Sequence, residues 1–328
     1  LTDETLQQIV SDYQQMEANG MEEELEKTDW QIVNSWLGTL YPELRDTSNY
    51  KTMISYVDPD KLTGFYERRQ QVLDEFLEIS GQVGAEKEFL HQMERKVEKP
   101  FHYEWVEGWS TLLGSMVADL GVVMALFLGI VLSSLFAGEW RDNTSTLVLT
   151  TRNGWGKIAL AKILTGLAFT VELFALLAVS SVISQLFFMG TAGWDMPIQN
   201  IKLIAVAPMN MLQAEIYEYA FVLLGAIGFA GIVMFISAAV KNNVLTLLLS
   251  LAVVYGPMMI AEYLPYEMQK ALDLIPLVGS STDIFRTNTF RIFGKLIWSP
   301  YLLITIPVLI GILCMPFAIK SWSRRMKA

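Results

Sequence analysis

The 328 residues are 52% hydrophobic, carry a net charge of −10 and include one cysteine. One cysteine excludes an internal disulfide framework, and the acidic balance offers nucleic acid no basic face. Long uncharged runs exclude an ordinary soluble domain. Tyr219–Val240, Val244–Ala261 and Ser299–Ile319 hold no charge, and Leu112–Phe136 and Ile163–Met189 hold one each, Asp119 and Glu172.

In chain order, residues 1–110 come first, with 23 Asp and Glu against 10 Lys and Arg. They read as an acidic, mostly helical domain. Leu6, Ile9, Val10, Tyr13 and Met16 form one apolar face at helical spacing, and so do Phe65, Val72, Leu73, Phe76 and Leu77. Phe89, Leu90, Met93 and Val97 suggest a third helix, and Tyr56–Asp60, with Pro59 between aspartates, a turn. Residues 111–328 are the membrane part. About 20 apolar residues cross a hydrocarbon core of about 30 Å, so spans are expected at about 111–136, 159–189, 218–240, 244–262 and 299–319. The fold class is therefore an all-α polytopic membrane protein with five transmembrane helices. Because five spans leave the two chain ends on opposite sides, a sixth helix is expected before Leu1. Gly256-Pro257 should kink or stop the fourth span. Residues 265–298 are too broken to span and too apolar for a plain loop, and are read as short helices dipping into the outer leaflet.

Loop charge sets the orientation, because cytoplasmic loops are enriched in Lys and Arg. The 137–157 segment, Lys241 and the tail hold Arg141, Arg152, Lys157, Lys241, Lys320, Arg324, Arg325 and Lys327 against only Glu139 and Asp142. Loops 190–218 and 262–298 hold five bases and seven acids. The first set is expected to be cytoplasmic, and residues 1–110 extracytoplasmic. Tryptophans agree: Trp105, Trp109, Trp194 and Trp298 fall at one set of span ends and Trp140, Trp155 and Trp322 at the other, as interfacial anchors do.

Chemical motifs are sparse. GWGKI (154–158) lacks the first glycine and the hydroxyl of a phosphate-binding loop, and there is no HExxH or paired cysteine, so no enzyme and no cofactor are expected in this chain. Glu172 lies mid-span, with Ser180, Ser181, Ser184 and Gln185 toward the outer end of the same helix, and Asp119 lies in the first span. An ionised group at mid-membrane costs about 2.5–3.5 kcal/mol. Two readings stand: a polar lining for a translocation path, or hydrogen-bonded clusters holding helices together. Small residues at Gly114, Ala118, Ala125, Gly129 and Ser133, and at Gly225, Gly228 and Gly231, mark faces that pack on protein.

The strongest signal is FAGEWRDNTSTLVLTTRNGWGKIALAK (136–162). Its polar part is longer than the 2–8 residues of most helix–helix connections, and it reads as a charged turn followed by an amphipathic interfacial helix, leucines toward the membrane. It resembles the segment joining the second and third membrane helices of ABC-2 type transporter permeases. The matching residues are Phe136, Glu139, Asn143, Thr144, Leu147, Leu149, Thr151, Arg152, Ala161 and Lys162, with Asn143 where glycine is commoner. The resemblance implies a six-helix permease subunit, with residues 1–110 inserted between the first two helices. It also implies that the 137–158 segment couples the chain to two copies of a separate ATPase, which bind the ATP and Mg. A second permease subunit, identical or different, completes the unit in a bacterial plasma membrane, and a peptide, drug, antibiotic or lipid-like substrate is exported. Glu139, Trp140, Arg141, Asn143, Thr144, Thr151 and Arg152 would contact the ATPase: Glu139, Arg141 and Arg152 through ion pairs, Thr144 as a cap, Trp140 as an anchor. Glu172, Ser180, Ser184, Gln185 and Asp119 would be candidates for the path. The alternative is a membrane sensor or scaffold whose external domain signals through the same loop.

Overall fold

The computed structural model describes residues 1–21, 30–46, 48–49, 51–104, 107–150, 156–240, 242–279, 285 and 288–324. Trp105, Thr151, Arg152, Trp155, Lys241, Arg325 and Lys327, named above, lie outside them. The chain divides into two units. One joins Leu1–Thr111, Leu186–Glu215 and Phe285–Leu296, and the other Leu112–Gln185, Ile216–Ile284 and Ile297–Ala328.

In the first unit, α1 (Asp3–Ala18) starts at Thr2, whose hydroxyl accepts the Thr5 N–H at 3.2 Å, a standard N-cap. Next comes α2 (Trp30–Leu40), which the sequence reading missed. The expected turn holds a short 3₁₀ helix at Pro59–Lys61, capped by the Asp58 side chain. Then α3 (Phe65–Ile79) and α4 (Ala85–Glu94) supply the other expected helices, and α5 (Glu107–Thr111) is a single turn. Asp3 also caps α3 from a distance, accepting the Gly64 and Phe65 amides at 2.7 and 3.0 Å. A carboxylate there opposes the positive end of the helix dipole.

The core is built on Trp36, Leu37, Tyr41, Phe65 and Phe101, all buried. It does not close with residues 1–111 alone. Trp36 Nε1 donates to the Asn200 carbonyl at 2.9 Å, and Arg69 Nε to that of Leu203 at 2.6 Å. The buried Arg69 guanidinium also pairs with the buried Glu94 carboxylate, which Lys99 reaches at 3.0 Å, and lies over the Phe101 ring. Farther along, Thr289 Oγ1 donates to Gln82 at 2.7 Å and Arg291 pairs with Glu86 at 2.5 Å. The boundary read at residue 110 stands at 111, but two later segments join this unit: one read above as a loop, the other as part of the short helices of 265–298.

The second unit carries the membrane helices. A π-helical turn, Leu112–Met116, leads into α6 (Val117–Arg141). A short α7 (Ser145–Thr150) precedes α8 (Lys157–Met189), α9 (Met211–Ala239) and α10 (Asn243–Ile260). After α11 (Tyr266–Leu272), strands β1 (Thr289–Ile292) and β2 (Lys295–Trp298) form a hairpin before α12 (Ser299–Arg324). Five of these helices are long and apolar enough to cross a membrane, and the protein is an all-α polytopic membrane protein. Pro257 lies inside α10, which continues to Ile260. Among its described residues the 265–298 segment holds one short helix and the hairpin, where short helices alone were expected.

More than half of the apolar stretches of α6 and α9 is buried, against 17–22% for α8, α10 and α12, so α6 and α9 form the interior. On α9, a β-carbon at Gly228 would collide with the Pro307 carbonyl, and one at Gly231 with Gly311. Backbone thus meets backbone between α9 and α12, the close approach that glycine permits in lipid. Gly129 of α6 faces Leu247 and Leu251 of α10. Gly228, Gly231 and Gly129 thus pack within the chain.

Removing Glu94 leaves the Arg69 charge buried without its carboxylate. Glu94→Ala is expected to cost about 3–5 kcal/mol, seen as a lowered midpoint in thermal unfolding of the purified protein. Burial, reinforced by the nearby Asp3 carboxylate, pushes the Tyr41 hydroxyl up to about 12. Folding favours its protonated form, so this stability is complete below pH 10 and falls as pH rises toward 12. An alkaline unfolding curve of Tyr41→Phe should lack that part of the decline.

Candidate functional site

The bend between α6 and α8 is built by a helix C-cap. The α6 helix does not stop at Phe136 but runs to Arg141, placing Glu139 and Trp140 on its last turn. Asn143 then takes a left-handed conformation, φ 55°. The Thr144 amide donates to the Glu139 carbonyl at 3.0 Å and the Asn143 amide to that of Trp140 at 3.3 Å. This pair of bonds is a Schellman motif, and it explains the residue at 143: glycine and asparagine are the types that enter this conformation readily. Thr144 closes one helix and opens the next. Its hydroxyl reaches back to the Glu139 carbonyl at 3.4 Å, and its own carbonyl accepts the Val148 amide of α7 at 3.0 Å.

The bend is tied to the spans by one lysine. Lys162, in the second turn of α8, lies 2.6 Å from Glu139 Oε1 and donates to the Leu135 carbonyl at 2.5 Å. Its ammonium lies 5.4 Å from the Phe136 ring centre and 5.5 Å from that of Trp322. Trp322, fully buried near the end of α12, packs on Phe136 and edge-on to Trp140. One cation thereby joins α6, α8 and α12. Deeper in, Ser237 of α9 sends its hydroxyl into the α6 backbone. It accepts the Phe136 and Ala137 amides at 3.0 and 3.1 Å and donates to the Ser133 carbonyl at 2.8 Å.

The resulting division of residues is plain. Glu139 and Trp140 face inward, with Lys162 and Trp322 as partners. Arg141, Asp142, Asn143, Thr144 and Leu147 are accessible, Leu147 strongly so. Arg141 hydrogen-bonds Asp142 at 2.8 Å and holds its carboxyl below the usual range. Sequence reasoning gave Glu139 an external ion pair; the internal one with Lys162 was legible only as an Ala-Lys match. Ser237 and Trp322 went unnoticed as elements of the bend, because one serine or tryptophan near a span end carries no signal of its neighbours.

The path candidates differ in exposure. Glu172, Ser180 and Ser184 are exposed along α8, Gln185 is buried, and Asp119 is exposed on α6. Ser180 bonds its own helix at Leu177, while Ser181 reaches the Tyr219 hydroxyl of α9 at 2.8 Å. Two carboxylates read as loop acids, Glu215 and Glu218, are instead buried in the first turns of α9. The 276–279 turn packs along the same helix. A β-carbon at Gly225 would lie 3.2 Å from Leu277 Cδ2, one at Gly228 3.2 Å from Pro276 Cγ, and one at Gly279 3.2 Å from Phe221. At 1.5 Å per residue, these contacts fall about 15–25 Å along α9 from Met211. Leu277 is buried with φ 65°, a sterically costly conformation for leucine held by that packing. Within the first unit, a cleft of about 330 Å³ is lined by Lys96, Glu98, His102, Asp195, Gln199 and Asn210 among others.

Ser237→Ala removes one hydroxyl on which two amides and a carbonyl depend. The expected cost is about 1–3 kcal/mol, with faster hydrogen exchange at the Phe136 and Ala137 amides; unchanged exchange there would show that the hydroxyl does not hold α6.

No protein-family model, no curated protein and no solved structure matches the chain.

Proposed function

We propose that this chain is the permease subunit of an ATP-driven ABC-2 type exporter in a bacterial plasma membrane. Residues 1–110 are extracytoplasmic in this reading and the bend at 137–158 is cytoplasmic, as the positive-inside bias of the loops supports. The carrying observation is the construction of the bend. Its inner side is bolted to three spans through Lys162, Glu139 and Trp322, while Arg141, Asp142 and Leu147 remain accessible. A surface that is free outside and fixed inside suits the transfer of a partner's motion to membrane helices.

ATP and Mg reside on that partner, an ATPase present in two copies, and a second permease subunit, identical or different, completes the assembly. Thr151 and Arg152 extend the contact surface suggested by the resemblance. A peptide, drug, antibiotic or lipid-like molecule is the exported class. The tripartite first unit also suits the rival reading, a sensor or scaffold, because it ties an external domain to several spans at once.

Affinity purification of the chain from its native membrane should recover a nucleotide-binding subunit. Lys162→Met, which unties the bend without altering its accessible side, should leave that subunit bound. Its stimulated ATP hydrolysis should fall roughly tenfold, the equivalent of about 1.4 kcal/mol. Absence of any ATPase favours the sensor; an ATPase that binds but ignores Lys162→Met removes the bolt from the coupling mechanism.

A further inference from the structure

The β1–β2 hairpin ends in a two-residue turn, Phe293-Gly294, with φ 49° and 79°. Turns with two left-handed residues favour Asn-Gly or Asp-Gly, and a bulky residue at the first position is strained. Phe293 accepts that strain and is also fully exposed. A fully exposed ring gains no packing to offset the strain, and strain of this kind points to a role outside the fold.

The tip is not a loose loop. Thr289 Oγ1 bonds Gln82 and Arg291 pairs with Glu86, both within the first unit. Its charge is also out of character. Residues 288–298, NTFRIFGKLIW, contain Arg291 and Lys295 and no acid, on a unit whose 1–110 portion carries 23 acids against 10 bases. Lys295 is exposed and has no ion pair among the described residues. Finally, β2 ends at Trp298 and the next residue begins α12. Phe293 is therefore within six residues, about 20 Å of extended chain, of the start of α12, a helix long and apolar enough to cross a membrane.

We propose that this tip is a membrane anchor: Phe293 inserts at the headgroup layer of the leaflet where α12 starts, and Lys295 binds anionic lipid phosphate. Aromatic rings favour that layer, and a basic residue is drawn to an anionic surface, against the repulsion of the acidic unit. This anchor is independent of whether an ATPase couples to the bend.

The test places an NBD fluorophore at 293 (Phe293→Cys with Cys314→Ser) in the full chain, in nanodiscs of phosphatidylcholine with or without phosphatidylglycerol. Expected are blue-shifted emission, about twofold quenching by headgroup-level spin-labelled lipid, and stronger quenching with phosphatidylglycerol. Lys295→Glu should remove that anionic-lipid increment and leave neutral discs unchanged. Separately, Phe293→Asn should raise the unfolding midpoint in detergent by relieving strain. Water-like emission overturns the proposal. So does shielded emission that spin-labelled lipid does not quench, the mark of a second copy over the tip. A quenching increment insensitive to Lys295→Glu, or a midpoint lowered by Phe293→Asn, overturns it too.

Discussion

An ammonium group near the start of a membrane helix needs a counter-charge, and the placement of Lys162 organises much of the bend around that need. Its three partners come from two other helices: the Glu139 carboxylate and Leu135 carbonyl from α6, and the Trp322 ring from α12. Away from bulk water, losing one member leaves a charge with poor alternatives. The interaction therefore fixes more than a pair of side chains. It sets where α6 ends, since Glu139 must still be helical to reach Lys162, and so where the chain can reverse. The left-handed Asn143 and the double hydrogen bond that closes α6 follow directly behind.

The interior of the membrane unit rests on a different principle, the absence of side chains. Gly225, Gly228 and Gly231 give α9 a bare surface, and the chain fills it with its own parts: Leu277 and Pro276 from one turn, Pro307 and Gly311 from α12. Dispersion contacts between tightly fitted atoms replace the hydrophobic drive that lipid cannot supply. The Ser237 hydroxyl extends the same helix's reach into the backbone of α6.

The spans were legible because hydrophobicity over about 20 residues is a local signal, and so were the apolar faces of α1, α3 and α4. Asn143 was readable as a turn residue for the same reason, since its backbone preference is its own. What escaped was long-range. Nothing near Leu203 announces that its carbonyl will satisfy Arg69, 134 residues away, so 190–218 looked like a connector. The acids Glu215 and Glu218 looked like loop charge because burial depends on neighbours that the local pattern does not name. In the candidate path, Glu172, Ser180, Ser184 and Gln185 share one helix, yet the local pattern could not say that the first three would be exposed and Gln185 buried. The hairpin was missed because strands of four residues are too short to show alternation against an apolar background.

The three-part make-up of the first unit has a consequence for synthesis. Its N-terminal helices leave the ribosome early, but the carbonyls that receive Trp36 and Arg69 come some 160 and 130 residues later, and the strand that meets Gln82 later still. Contacts of such sequence separation form slowly. Until they form, the nascent chain holds a guanidinium and an indole destined for burial with part of their bonding unmade. Completion of this body thus waits on the synthesis of α6, α8, α9 and α10, the four long apolar helices that precede its last segment in the chain.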